Sequence, residues 1–311
     1  MDPIQSINIK KDSSFAMMLE AQRRGYSIYY ITQKDLYVKD GIAFANMSKV
    51  KVTDNPDSWY ELEESSDRPL HELSCIIMRK DPPFDMEYIY STYILELAEQ
   101  KGCLVVNKPS SIRTANEKLF TAWFPEFSPE TLVTRDMQRI KAFHEQLKRI
   151  VVKPLDGMGG SMVFQIQEGD ANRSVILETM TNNGTQTVMA QRFLPEFKNG
   201  DKRILVINGK PFPHGLARIP AKGESRGNLA AGASYEGVDL TEREFEICNA
   251  IGPKLKEMGL MFVGLDVIGD YVTEINVTSP TCIRELDAIY SANISGLLMD
   301  EIEISLKENL Q

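Results

Sequence analysis

The sequence predicts an α/β and α+β fold: a parallel α/β domain over residues 1–113, then a domain with antiparallel sheets over residues 114–311. Two observations predict this order. Apolar runs alternate with helix patterns in the first part, as in parallel sheets, whereas hairpin signals dominate the second. The composition agrees, since 311 residues with 42% hydrophobic and 25% charged side chains are ordinary for a globular enzyme of two or more domains.

The N-terminal elements follow from helix caps and chain breakers. Asp12 or Ser13 caps a first helix, and Gly25 ends it. The remaining predicted elements are a strand over 28–31, an exposed polar excursion over 54–69, a buried strand over 75–78, a helix from about 87 to 101, and a strand over 104–106. Buried strands separated by a helix indicate a parallel sheet.

The second part of the chain shows antiparallel signals. An Asn-Gly pair at 208–209 predicts a tight hairpin turn. Thr241 and Glu244 form a capping box for a helix that Gly259 ends. Further strands are predicted over 150–153, 162–166 and 187–193.

Charge and residue usage exclude several classes of protein. The net charge of −9 argues against general binding to nucleic acids or anionic membranes. The four cysteines form no C-x-x-C pair, so we expect reduced thiols, and the three isolated histidines argue against a His-metal site or a Ser-His triad. No 18-residue apolar run and no N-terminal apolar signal occur, so we expect a cytoplasmic protein with no membrane partner.

The hairpin at 262–276 carries polar residues in an apolar strand pattern. A two-residue turn at Gly269-Asp270 would place Asp266 and Glu274 on opposite faces. We therefore predict a three-residue loop at 269–271, which sets Asp266 opposite Glu274, with Asn276 on the same face. The same register places Leu265, Val267, Ile275 and Val277 on the other face, and a hydrophobic face fixes register. Two carboxylates and an amide oxygen suit Mg²⁺ shared with phosphates. The alternative is a solvated edge hairpin.

A glycine loop follows the strand at 150–153. Lys153 precedes Gly157, Gly159 and Gly160, whose backbone N–H groups could surround phosphate oxygens. The segment matches neither the P-loop nor the G-x-G-x-x-G pattern, so those nucleotide sites are disfavoured. An ordinary hairpin turn is the alternative. Lys118 is a candidate site residue only together with Lys153, because an isolated lysine is usually a solvated surface residue.

Four further segments have a functional and a plain structural interpretation. The strand and hinge at 187–194 could hold a purine ring or be core. Asp201 and Arg203 lie on the same face of a predicted strand, where they could form part of a functional site or a surface salt bridge. The glycine-rich stretch 219–234, flanked by Arg218 and containing Arg226, predicts a lid or a plain loop. The segment 276–281 could bind a carboxylate or form a proline turn.

In this order the parts resemble the ATP-grasp superfamily, and more closely the prokaryotic glutathione synthetases. The resemblance covers nearly the whole chain. Its most similar blocks are Met78-Arg-Lys-Asp-Pro-Pro-Phe84, Lys153-Pro-Leu-Asp-Gly-Met-Gly-Gly160, Arg226-Gly-Asn-Leu-Ala-Ala231 and Thr273-Glu-Ile-Asn-Val-Thr-Ser-Pro-Thr-Cys-Ile-Arg284. The family usually has an apolar strand before the Met-Asp-Pro seen here at 1–3, so we expect an unfilled sheet position or an open sheet edge.

The resemblance implies an ATP-dependent ligase with two Mg²⁺ ions, or Mn²⁺ instead, that joins γ-glutamylcysteine and glycine through an acyl phosphate. It also implies a homotetramer, a pre-ATP-grasp N-terminal domain, a lid subdomain over about 118–193 and a catalytic subdomain over about 194–311. The implied roles are metal binding for Asp266, Glu274 and Asn276; ATP binding for Lys118, Lys153, Gly157, Gly159, Gly160, Gln191, Phe193, Leu194 and Asp201; catalysis for Arg203, Arg218 and Arg226; and dipeptide binding for Ser13, Arg79, Lys80, Asn276, Ser279, Pro280 and Thr281.

Two rival functions remain open at this point. One is a related carboxylate–amine ligase of different specificity. The other is a non-catalytic nucleotide-binding module.

Overall fold

The computed structural model describes residues 1–220 and 234–308. The helices are α1 (Ser13–Arg23), α2 (Met86–Glu99), α3 (Pro109–Thr114), α4 (Met137–Leu147), α5 (Arg173–Met180), α6 (Glu242–Glu257), α7 (Ile283–Tyr290) and α8 (Ile294–Glu308). None of the helices in these two ranges is long and apolar enough to span a membrane.

Strands occur in both halves of the chain. The N-terminal half has β1 (Ile28–Tyr30), β2 (Leu36–Lys39), β3 (Ile42–Val52), β4 (Tyr60–Leu62), β5 (Ser66–Pro69), β6 (Cys75–Ile77) and β7 (Leu104–Val106). The second half has β8 (Thr131–Thr134), β9 (Arg149–Pro154), β10 (Phe164–Gln167), β11 (Val188–Arg192), β12 (Asp201–Ile207), β13 (Lys210–Ile219), β14 (Ser234–Asp239), β15 (Phe262–Ile268) and β16 (Tyr271–Asn276).

The N-terminal domain contains a parallel sheet and an antiparallel one. The predicted parallel sheet is confirmed in β6 and β7, which pair in parallel with α2 between them in sequence. A second, five-stranded sheet forms around the long strand β3, and all its pairings are antiparallel. The prediction of an exposed excursion over 54–69 was wrong in part, because β4 and β5 lie in this stretch and pair with β3. Pairing with β3 outweighs the weak strand propensity of these polar residues.

A cavity of about 470 Å³ lies between β1 and β6, and we call it the slot. In the described part of the chain, β1 pairs only with β3 and β6 only with β7, so each presents a free edge. Met17 and Ala21 of α1 and Met299 and Ile302 of α8 line the slot, which makes its wall largely apolar.

The second half of the chain forms two antiparallel sheets. One, which we name the lid sheet after the lid subdomain that the resemblance implies, has the order β10-β9-β11-β8, and α4 and α5 close its own core. The other, which we name the catalytic sheet on the same basis, has the order β14-β13-β12-β15-β16. On one face it packs against α6 through Ile247, Ile251 and Leu255, in a core that continues into the N-terminal domain. The predicted capping box of α6, made by Thr241 and Glu244, is confirmed.

Candidate active site

The 262–276 hairpin has the predicted pairing but not the predicted loop. Asp266 lies opposite Glu274, as expected. The connection is a two-residue turn, however, because Ile268 pairs directly with Tyr271. The prediction of a three-residue loop was therefore wrong. A register shift after Asp266 leaves Thr273 as an extra residue, and this bulge restores the pairing that the longer loop was invoked to explain.

The apolar face of the hairpin explains why the bulge is tolerated. Leu265, Val267, Ile275 and Val277 are all fully buried in the core shared with α6, as predicted. Val272 is also fully buried and lies opposite Val267. The bulge lets the turn-proximal and turn-distal parts of β16 both keep their apolar side chains in this core.

Asp266 is held by two buried arginines from neighbouring strands. Arg203 on β12 donates through Nε at 2.6 Å and through Nη2 at 3.1 Å, which is a bidentate pair. Arg218 on β13 approaches the same carboxylate with Nη2 at 3.0 Å and also donates to Asp201 at 2.6 Å. Two cations and two carboxylates thus form one buried network.

Charges in this network shift one another's pKa values. Burial would raise the pKa of Asp266, but Arg203 and Arg218 outweigh it and hold that pKa well below its usual range. Burial opposes ionisation of Arg218, yet Asp201 and Asp266 raise its pKa well above its usual value. Burial raises the pKa of Asp201 to about 6, with Arg218 opposing the shift. The site is therefore polarised, with Asp266 firmly ionised.

Lys118 and Lys153 converge on Glu274. Their Nζ atoms lie 3.7 Å and 3.8 Å from Oε1 of Glu274, and both lysines are buried. Lys118 also donates to the carbonyl of Gly157, and Lys153 donates to the carbonyl of Thr273 at 3.1 Å. Burial lowers the pKa of Lys153, with Glu274 opposing. Two ammonium groups beside one partly exposed carboxylate leave an excess of positive charge that suits a polyanion.

A cavity of about 140 Å³ joins these residues to the predicted ATP-binding segments. Its lining includes Lys118, Lys153, Gly157, Gly159, Gly160, Gln191, Phe193, Leu194, Asp201, Asp266 and Glu274. The Arg149 guanidinium covers the Phe193 ring at 3.6 Å, and Gln191 Nε2 donates to Thr131 at 2.9 Å. Asp201 Oδ1 is buried without a hydrogen-bond partner among the described residues, so it is an acceptor available to a ligand hydroxyl.

The predicted dipeptide-binding residues form a second group outside this cavity lining. Arg79 donates to Ser14 at 3.0 Å and to the Pro280 carbonyl at 2.9 Å, while its buried Nη1 has no partner in the described chain. Ser13 accepts from the Ile283 backbone at 3.2 Å. These contacts bring α1 and the segment after β6 to the segment after β16.

The other members of this group differ in exposure and partners. Ser279 donates to Asp81, and Thr281 is exposed. Lys80 bonds the Asp81 carbonyl and pairs with Asp2, both at 2.8 Å, so it is engaged within the N-terminal domain. Arg226 and residues 221–233 of the predicted lid lie outside the described residues.

Two carboxylates near these groups were missed from sequence. Asp81 bonds Ser279, and Glu117 bonds Thr278, in both cases across more than 150 positions of sequence. Glu117 directly precedes Lys118, a predicted site residue, so its position in the sequence could have indicated that it lies near the site. Asp81 lies within the block 78–84 that carried the resemblance, but no spacing rule marks its contact.

The donor set on the hairpin fits a hard divalent cation that phosphates also bind. In the described ranges, no cluster of three or more His, Cys, Asp or Glu residues could hold a metal by itself. The hairpin offers two carboxylates, plus Asn276, whose Nδ2 donates to the Gly264 carbonyl at 3.2 Å and leaves Oδ1 available. An all-oxygen set that is short of protein ligands is typical of Mg²⁺ shared with a nucleotide.

Family models match both halves of the chain. The prokaryotic glutathione synthetase N-terminal domain matches residues 1–113, and the prokaryotic glutathione synthetase ATP-grasp domain matches residues 117–291. The chain belongs to the prokaryotic glutathione synthetase family. It is accordingly an ATP-dependent ligase with an ATP-grasp fold, and the family uses ATP with a divalent metal ion.

Curated relatives agree over nearly the full length. A glutathione synthetase of Vibrio cholerae is 61% identical over 307 residues, which are 99% of this chain and 96% of that protein. A glutathione synthetase of Escherichia coli O6:H1 is 59% identical over 308 residues, 99% of this chain and 98% of that protein.

Solved structures support the fold. The ATP-grasp ligase PsnB, complexed with the precursor peptide PsnA2 and AMPPNP, superposes with a TM-score of 0.61 at 16% identity, covering 98% of this chain and 96% of that one. The D-cycloserine synthetase DcsG gives a TM-score of 0.57 at 14% identity, covering 75% and 85%. At such identities the likeness shows a common fold alone.

Proposed function

We propose that this protein joins γ-glutamylcysteine and glycine, with hydrolysis of ATP to ADP and phosphate, to form glutathione. The single observation that carries the proposal is the convergence of Lys118, Lys153 and Asp266 around Glu274 on one cavity. Membership of the family, with relatives near 60% identity named glutathione synthetase, supports the substrate assignment.

ATP binds in the cavity that lies between the lid sheet and the catalytic sheet. Gln191 to Leu194 hold the adenine, and Oδ1 of Asp201, which has no hydrogen-bond partner among the described residues, accepts a hydrogen bond from the ribose. Lys118 and Lys153 bind the phosphates, while the backbone of Gly157 to Gly160 covers them. Positive charge in a partly buried cavity binds phosphate more strongly than it does at the surface.

Asp266, Glu274 and Asn276 would hold two Mg²⁺ ions, or Mn²⁺ in their place. When bound, these ions neutralise phosphate charge and align the transferred group. Arg203 and Arg218 already contact Asp266, so they lie where that charge develops, and Arg226 is proposed to join them from the lid. These residues align the reacting carboxylate of γ-glutamylcysteine for attack on the γ-phosphate, which releases ADP and leaves an acyl phosphate. The glycine amine then attacks the acyl carbon, loses a proton and displaces phosphate, so that catalysis depends mainly on alignment and charge neutralisation.

The dipeptide lies beside the segment that follows β16. Arg79 offers to a carboxylate of the dipeptide its Nη1, which has no partner within the described residues, and Ser13 fixes the neighbouring start of α7. Ser279, Pro280 and Thr281 supply hydroxyl and backbone groups, with Asn276 shared between metal and substrate. Lys80 contributes positive charge nearby.

The proposal extends to domain organisation and assembly. Residues 1–113 bind the dipeptide, residues 114–311 form the ATP-grasp domain, and within it about 118–193 act as the lid. The protein acts in the cytoplasm as a homotetramer, without nucleic acid or membrane partners.

The test is a substrate panel that measures phosphate release and identifies the product by mass spectrometry. Mg-ATP, γ-glutamylcysteine and glycine together should give ADP, phosphate and glutathione. Turnover only with a different acceptor would favour a ligase of other specificity. Binding of Mg-ATP without any ligation would favour a non-catalytic nucleotide module. Either outcome would refute the proposal.

A further inference from the structure

Three consecutive residues, Asn116 to Lys118, connect parts of the site that are far apart in sequence. Asn116 Nδ2 donates to the Leu155 carbonyl at 3.0 Å, where the glycine loop begins. Lys118 reaches the Gly157 carbonyl and lies near Glu274. Between these two residues, Glu117 faces the segment after β16.

Glu117 makes its contacts through both side chain and backbone. Its Oε1 accepts from the Thr278 hydroxyl at 2.6 Å and from the Thr278 backbone N–H at 3.3 Å. Its carbonyl accepts from the Ile275 N–H at 2.8 Å, which fixes the end of β16. Glu117 is therefore bonded on both sides of Asn276, the last residue of the hairpin donor set.

The surroundings of the Glu117 carboxylate disfavour its charged form, which indicates that the carboxylate is kept for its hydrogen bonds. Burial raises the pKa of Glu117, with the hydrogen bond from Thr278 opposing that shift. Placing a carboxylate in such surroundings costs free energy that an apolar residue would avoid. The Glu117 side chain is nevertheless the acceptor that connects Thr278 to the segment that carries Lys118.

We propose that Glu117 is a positioning residue: it holds the 278–281 segment, and so the dipeptide carboxylate, at the correct distance from the phosphates bound by Lys118. This inference rests on the proposed function. Glu117 does not touch the reacting atoms. It acts through Thr278, and small displacements of two reactants matter because a shift of about 1 Å can lower a rate about 100-fold.

The matched variants differ in whether an acceptor oxygen remains. Glu117→Gln keeps an oxygen at the Oε1 position, so its kcat should stay within about threefold of the parent. Glu117→Ala removes it, so kcat should fall about 10- to 100-fold and KM for γ-glutamylcysteine should rise. Affinity for Mg-ATP, measured by calorimetry, should stay within about threefold, because Lys118 and Lys153 remain.

A second pair of variants covers the case in which Glu117→Ala fails to fold. Thr278→Val removes the hydroxyl at nearly constant volume and should lower kcat, whereas Thr278→Ser should retain it. In a double-mutant cycle, Glu117→Ala and Thr278→Val should be strongly non-additive. If Glu117→Ala does not fold, the Thr278 pair alone decides.

The outcomes separate this inference from the proposed function. A parent protein that forms no glutathione refutes the function itself. If the parent is active, unchanged kcat and KM in Glu117→Ala or in Thr278→Val overturns the positioning role. Equal losses of ATP affinity and kcat in Glu117→Ala would also overturn it, because Glu117 would then support the nucleotide site instead.

Discussion

The hairpin face of the catalytic sheet and the slot of the N-terminal domain are both interior regions, but they are filled in opposite ways. In the catalytic sheet, β15 is paired on both edges and its apolar face is fully buried. At the slot, β1 and β6 each lack a second partner in the described chain, and a cavity of about 470 Å³ lies between them.

Because of this difference, we expect substitutions to destabilise the protein more around Asp266 than around the slot. Around Asp266, each buried charge has a partner, so removing one partner exposes another buried charge to an apolar environment. Around the slot, apolar side chains such as Ile302 already lack neighbours on one side, so they have fewer contacts to lose. Substitutions of the same chemistry should have different effects in the two regions.

The largest expected effect is on catalysis by the hairpin. Glu274→Ala and Asn276→Ala should each lower kcat about 10²- to 10³-fold, because each removes an oxygen aligned with the phosphates. Both variants should still fold, since both side chains are partly exposed, although Glu274→Ala also removes the carboxylate beside the buried Lys118 and Lys153 and should lower stability more than Asn276→Ala. Glu61→Ala on exposed β4 is the control and should be neutral for both kcat and stability. Near-normal turnover of either hairpin variant would refute the metal assignment.

Breaking the buried ion pair should have the largest effect on stability. Arg203→Ala leaves Asp266 with less compensation and should lower the free energy of unfolding by about 3–5 kcal/mol. Glu72→Ala in the N-terminal domain breaks an exposed pair with Arg68 and should cost about 0–1 kcal/mol. Urea unfolding measures both values. Equal costs would contradict the contrast between the regions.

Two isoleucine truncations compare packing directly. Ile275→Ala, at a fully buried position in the catalytic core, should cost about 2–5 kcal/mol. Ile302→Ala, in the wall of the slot, should cost about 1–2 kcal/mol because its surroundings are already open. The ratio of the two costs in urea unfolding is the observable. A larger cost at Ile302 would show that the slot wall is as tightly packed as the core.

The smallest expected effect is a difference in the sign of the stability change when the same substitution, Ala to Leu, is made in the two regions. Ala21→Leu should fill part of the slot and stabilise the protein by about 0.5–2 kcal/mol. Ala217→Leu, at a fully buried position on β13, should overpack the catalytic sheet and destabilise it by about 1–3 kcal/mol. The melting temperature should rise for Ala21→Leu and fall for Ala217→Leu. A change in the same direction for both would show that the slot has no room for the larger side chain.

The sequence allowed the hairpin pairing to be predicted, because four apolar residues fix which side chains share a face. It did not reveal how that pairing is reached, since a bulge at Thr273 and a longer loop have the same effect on register. Strands β4 and β5 could not be predicted, because their polar residues become strands only by pairing with β3.

Contacts between distant segments were equally invisible in the sequence. The lysines and the glycine loop were predictable as separate parts, but the approach of both lysines to Glu274, and the cavity that they share with the loop, depend on how the lid sheet packs against the catalytic sheet. The capture of Asp266 by two arginines, and the bond from Thr278 to Glu117, depend on strand order and connect residues far apart in the chain.

The most direct test of the account is the product formed by the purified protein from Mg-ATP, γ-glutamylcysteine and glycine, with Glu274→Ala assayed in parallel. The account predicts glutathione and ADP in equal amounts from the parent and about 10²- to 10³-fold less from the variant. No glutathione from the folded parent, or equal amounts from both proteins, would contradict it.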